Sequence, residues 1–102
     1  MATDREIASI IYDQIGGDRF KAMTGAHSFS TTTQGLVFKL PKGKYFIVKL
    51  NGKDLYDLGL WRNGQFRKDK YIEAKELKNR LDVFAEDLQN TFTEMTGLYT
   101  SL

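Results

Sequence analysis

The chain has 102 residues, 41% of them hydrophobic and 27% charged, with a single proline and no cysteine. That length and balance describe one globular domain, residues 1–102, with one core; they exclude a disordered chain, a disulfide scaffold, thiolate metal sites and thiol nucleophiles. The formal net charge of +2 conceals an uneven distribution, because residues 1–35 sum to −1, residues 36–80 to +7 and residues 81–102 to −4, so any anion-binding surface must come from the middle third.

Thr3-Asp4-Arg5-Glu6 has the form of a capping box, in which the threonine oxygen accepts from an early backbone N–H and the glutamate reaches back to the cap. A helix is predicted from there, with Ile7, Ile10, Ile11 and Ile15 as its apolar stripe and Gly16-Gly17 as its end. "DRFKAMTG" predicts a shorter helix opened by Asp18 and closed by Gly25, with Phe20 and Met23 turned inward. The same start carries acids where a secretory signal needs a basic residue and an apolar run, and no apolar stretch approaches the ~20 residues of a membrane span. The expectation is a cytoplasmic protein without a membrane partner.

From His27 the period changes to two. "HSFSTTT" alternates weakly, "LVFKL" places Leu36, Phe38 and Leu40 on one face, and "YFIVKL" does so with Phe46, Val48 and Leu50. Asn51-Gly52 and Asn63-Gly64 suit tight turns needing positive φ at both central residues, so a hairpin meander is expected. Between them "DLYDLGLWR" puts Tyr56, Leu58 and Leu60 inward, with Asp57, Gly59 and Trp61 on the opposite face.

Beyond Gly64 two readings compete: "FRKDKYI" suits a charged edge strand, while "YIEAKELKNRL" is made of good helix formers, and the changeover is placed near residues 73–79. Leu77, Leu81, Phe84, Leu88, Phe92 and Met95 then step by three or four, predicting a final amphipathic helix that Gly97 stops. "LYTSL" reads as an apolar tail folded back onto the core. The fold class is α+β: an N-terminal helix and a short helix, an antiparallel meander of four to five strands, and a C-terminal amphipathic helix, with the helices on one sheet face.

The segment "WRNGQFRKDKY", residues 61–71, concentrates four bases and three rings. With Lys39, Lys42, Lys44, Lys49 and Lys53 it forms a basic, aromatic middle, and Tyr45, Trp61 and Tyr71 are expected opposite the core, as in sheet platforms on which single-stranded nucleic acid stacks. The plainer reading is a solvated sheet whose edge lysines prevent aggregation. Trp61 is either an exposed anchor of the kind that dominates binding surfaces or ordinary core, depending on strand register.

Catalytic constellations are thin. His27 is the lone histidine and has no serine or cysteine partner at a recognisable spacing. Asp54 and Asp57 share a face only if their turn distorts, and two carboxylates make a weak metal site. Gly43-Lys44 and Gly52-Lys53 lack the glycine spacing and following helix of a phosphate loop. No enzyme activity, cofactor or metal is expected. The acids of the last helix, Asp82, Glu86, Asp87 and Glu94, are read as a solvated face; the alternative is a row of phosphate-mimicking charges docking on a basic host surface.

The segments "RFKAMTGAHSF", "LVFKLP", "VKLNGKDLYDL" and "FTEMTGLYTSL", spread from about Ile15 to Leu102, resemble small phage and mobile-element proteins ending in a TGLYTSL-like tail. Around "WRNGQFRKDKYIEAKELKNR" the chain is longer and more charged than that pattern. The resemblance carries over no catalytic residues. It implies a compact protein made inside a bacterial host that binds a host factor or nucleic acid, for instance an inhibitor of a bacterial defence system such as a nuclease-blocking anti-CRISPR.

The sequence therefore points to a non-enzymatic binding protein whose partner is a host protein, with Trp61, Arg62, Arg67, Lys68, Lys70 and Tyr71 as the partner-binding residues. A nucleic-acid-binding accessory protein using the basic, aromatic face is the alternative, and a small virion or assembly component pairing through an edge strand is a further one.

Overall fold

The computed structural model describes residues 2–100, excepting the side chains of residues 66 and 67. Helix α1 (Asp4–Ile15) opens on the capping box: Thr3 Oγ1 accepts from the Glu6 N–H at 3.2 Å, and Glu6 Oε1 accepts from the Thr3 N–H at 3.4 Å. Ile7, Ala8, Ile11 and Ile15 are buried, whereas Ile10 is 50% exposed. At 100° per residue Ala8 lies about 20° from the edge of the arc spanned by the other three, whereas Ile10 lies about 60° outside it.

Gly16 turns the chain with φ 128°, and a side chain there would press on Phe20 Cβ at 2.9 Å. Helix α2 (Gly17–Thr24) therefore follows at once, one residue earlier than its predicted opener Asp18. Phe20 is fully buried and Met23 half-buried. The helix closes on Gly25 in the left-handed region, with Thr24 Oγ1 donating to the Phe20 carbonyl and accepting from the Ala26 N–H. The same Met-Thr-Gly sequence closes helix α3 (Leu88–Thr96): Gly97 is left-handed, and Thr96 Oγ1 donates to the Phe92 carbonyl and accepts from the Leu98 N–H. Two distant helices thus end by one local device.

Between α2 and α3 the chain forms strands β1 (His27–Thr32), β2 (Gly35–Leu40), β3 (Lys44–Leu50), β4 (Tyr56–Arg62), β5 (Gln65–Arg67), β6 (Lys70–Ile72) and β7 (Lys75–Val83). Five make an antiparallel sheet in the order β1-β2-β3-β4-β7; β5 and β6 pair only with each other, as a separate ribbon inserted between β4 and β7. Leu36, Phe38, Leu40, Phe46, Val48, Tyr56, Leu58 and Leu60 form the buried face beneath the three helices. At its centre Phe20, Phe38, Phe46 and Phe92 are fully buried, with Phe92 edge-on to Phe46 at 4.8–4.9 Å centroid distance, as it is to Phe20. The α+β class and the single helix-covered face agree with the sequence reading.

Two expectations are corrected. Residues 75–83 are strand, so α3 supplies only Leu88, Phe92 and Met95 of the apolar stripe; Leu77, Leu81 and Phe84 lie outside it and are exposed. The segment is built of helix formers, but as β7 it completes the hydrogen-bond ladder along β4, which would otherwise leave a row of unpaired backbone groups. The tight turns also lie elsewhere than at the Asn-Gly pairs. Lys42 and Gly43 (φ 67° and 72°) turn β2 into β3, and Lys68 and Asp69 (φ 49° and 63°) close the ribbon. Asn51 instead holds a five-residue loop with its side chain, Oδ1 accepting from the Lys53 and Leu55 N–H groups at 2.8 and 3.2 Å. Asn63 donates its N–H to the Gly43 carbonyl at 2.8 Å as the chain leaves the sheet.

Candidate partner-binding face

The sheet face away from the helices is set by three cross-strand rows. Reading from β2 to β7, one row is Lys39, Tyr45, Trp61 and Glu76; the next is Val37, Ile47, Gly59 and Asn79; the third begins Gly35, Lys49 and Asp57. Register shifts between Leu60 and Trp61 and between Tyr56 and Leu58 mark bulges in the β4–β7 ladder that re-aim the β7 side chains. No helix packs over these rows.

Tyr45 and Trp61 are stacked, with centroids 6.0 Å apart and planes at 15°. Gly59 creates room for the indole: a side chain there would lie 3.0 Å from Trp61 Nε1. Ile47, Asp57, Gly59, Trp61, Glu76 and Leu81 line one shallow groove. Trp61 is half-buried against its own sheet and keeps a free edge, which places it between the two sequence readings.

Charge on this face is divided. Lys39 and Lys49 stand on β2 and β3, whereas Asp57, Glu76 and Asp82 belong to β4 and β7. The acidic corner is wired together: Asp57 Oδ1 accepts from Asn51 Nδ2 at 2.9 Å and from the Asp82 N–H at 3.1 Å, and Asp82 Oδ1 accepts from Asn51 Nδ2 at 2.8 Å. Lys53 Nζ and Asp82 make the only ion pair found among the described residues, at 3.0 Å between two well-exposed groups. Lys39, Lys49 and Glu76 have no ion-pair partner there.

The six sequence-derived residues do not share one surface. Trp61 is on the uncovered face, but Arg62 alternates to the helix side, beside Lys44 and Lys75 at the end of the sheet, and its Nε is buried without a hydrogen-bond partner. Lys68, Lys70 and Tyr71 belong to the ribbon, where Tyr71 is 58% exposed and its ring covers Gly64. Arg67 pairs with Lys70 across the ribbon through its backbone, and its side chain lies outside the described residues. Tyr45 was expected on the uncovered face and is there; Tyr71 is not. Glu76 and Leu81 were missed because their segment was read as entering a helix. The bare edge that β4 would have kept was the available signal for another strand.

Among the described residues the other titratable groups stand apart from one another or in simple pairs. His27 Nδ1 is 3.0 Å from Ser28 Oγ at an exposed strand start. Asp54 sits on the loop at φ 60°, its N–H donating to the Asn51 carbonyl at 3.1 Å. Tyr12 donates to Asp18 Oδ1 at 2.6 Å, and that bond, reinforced by burial and the carboxylate's charge, raises its phenol above the usual value of 10.0. Burial raises the phenol of Tyr56, which donates to Gln14 Oε1. Among the described residues no three metal-ligating side chains converge, and no helix is long and apolar enough to cross a membrane. No protein family, curated protein or solved structure matches the chain.

Proposed function

We propose that the chain is a non-enzymatic binding protein of the phage or mobile-element kind its sequence resembles, acting in the bacterial cytoplasm on a host macromolecule. Its contact surfaces are the sheet face that the helices leave bare and the ribbon beside it. The observation that carries the reading is the Tyr45–Trp61 stack on that bare face, because paired aromatic rings with a free edge supply contact area at little entropic cost. Inhibition of a host defence system is the specific role consistent with this reading.

The test is capture of host material by the native chain, by Trp61→Ala, and by a ribbon variant with Lys68, Lys70 and Tyr71 changed to alanine. At least one variant set should lose the captured species. Identical catches from all three proteins would sink the reading.

Direct nucleic-acid binding is the second reading, supported by the unpaired Lys39 and Lys49 beside the stacked rings. It requires affinity that falls steeply with salt, each lost lysine lowering the slope by about one unit. Gel shifts at two salt concentrations measure this, and no retardation at micromolar protein in low salt would remove it.

A further inference from the structure

The three rows on the uncovered face are charge-complementary to themselves under a two-fold rotation. An axis parallel to the strands, between β3 and β4, exchanges the two halves of the face. In the first row it sets Lys39 over Glu76 of a second copy and Tyr45 over Trp61. In the second it sets Ile47 over Gly59, the one row position without a side chain on these two strands. In the third it sets Lys49 over Asp57. Each pair occurs twice, as an isologous contact demands.

From this pattern we infer that the uncovered face binds a second copy of the same chain, sheet upon sheet, as a two-fold dimer. The inference rests on the reading that this face is a contact surface, and a host macromolecule that uses the same face competes with the second copy for it. Within these rows the bases stand on β2 and β3 and the acids on β4 and β7. A second copy is the one partner that carries the matching arrangement by construction.

The geometry is that of aligned sheet packing. Two sheets pack about 10 Å apart with strands crossing at about 30°, so positions near the axis stay in register and outer ones drift. The stacked rings of Tyr45 and Trp61 lie near the axis on β3 and β4, with Ile47 and Gly59 in the next row. The outermost pair, Lys39 and Glu76, consists of long side chains that reach across the drift. Neither has an ion-pair partner in its own chain among the described residues.

Four strands at ~4.8 Å spacing, with about 20 Å of paired length, give a footprint of roughly 20 by 20 Å. That is the low end of specific interfaces, where association is weak, so a dimer dissociating in the micromolar range is expected.

The experiment is sedimentation equilibrium from about 10 to 500 μM, the range that brackets such a dissociation constant, on the native chain, Lys39→Glu, Glu76→Lys and the double variant K39E/E76K. These residues are exposed, so all four proteins fold. Each single change sets like charges together at both copies of the contact and should weaken the dimer at least about tenfold, whereas the double variant restores opposite charges and should return to within about threefold of the native chain. A native chain monomeric across the range, single variants that associate like the native chain, or a double variant no better than the worse single one would each overturn the dimer. The binding reading fails separately. A monomer whose capture of host material still depends on Trp61 defeats the dimer alone; a charge-dependent dimer that captures nothing and shifts no nucleic acid defeats the host-binding function alone.

Discussion

The two faces of this sheet carry aromatic rings in different company. Under the helices, Phe38 and Phe46 belong to a network with Phe20 and Phe92 in which every ring is fully enclosed. On the other face, Tyr45 and Trp61 touch each other and their own sheet, and nothing covers them. The first arrangement removes apolar area from water and stabilises the fold; the second leaves area in water that a partner can remove. The same strands therefore divide their alternate residues between folding and recognition.

That division makes a strong prediction. Phe38→Ala should cost about 3–5 kcal/mol, since it removes a ring from the centre of a closely packed cluster that can collapse only partly. Urea unfolding measures it, and a loss near 1 kcal/mol would mean that the covered face is not the core. A sharper probe sits at the start of β2. A side chain at Gly35 would run into the backbone carbonyl of Val48, which the ladder holds in place, so Gly35→Ala should cost about 1–3 kcal/mol with no change in the apolar core itself. A neutral outcome there would show that β2 and β3 yield more easily than their pairing implies.

Much of the covered face was legible before any coordinates. The capping box at Thr3–Glu6 and the alternation in β2, β3 and β4 are local signals, and burial of one residue in two leaves little choice of register. The misread parts depended on distant residues. "KELKNRL" has the propensity of a helix, and Leu77, Leu81, Phe84 and Leu88 have its spacing, yet the segment becomes a strand because β4 offers a ladder 13 or more residues earlier in the chain. Asn51-Gly52 looked like a two-residue turn, but Asn51 is drawn into a side-chain network with Asp57 and Asp82 that no local pattern reveals. The candidate site inherited both errors. Placing Trp61 needed only β4, whereas separating Lys68, Lys70 and Tyr71 from it needed the knowledge that "QFRKDKYI" folds on itself as a ribbon.

Trp61→Ala tests the uncovered face by the smallness of its effect on folding. The indole is half-buried and loses one stacked neighbour, so unfolding should shift by about 1 kcal/mol, well below the Phe38 variant, while any contact made through the face is weakened. A cost comparable to that of Phe38 would make Trp61 a second core and withdraw it from recognition.

The smallest expected effect is on pH dependence, and it too separates the faces. Tyr56 lies on the covered side, and burial raises its phenol above 10.0. A group whose folded value is raised contributes stability that is complete below the unfolded value and lost as pH climbs through the folded one, because the unfolded chain releases the proton first. Urea midpoints should therefore hold level from neutral pH to about 10, the ordinary tyrosine value, and then decline. Tyr56→Phe should lessen the decline, leaving the part that comes from the raised Tyr12 phenol, while lowering the plateau, since the phenylalanine cannot donate to Gln14. If the Tyr56 variant kept the native decline in full, the covered side of the sheet would not be what holds that phenol in its neutral form.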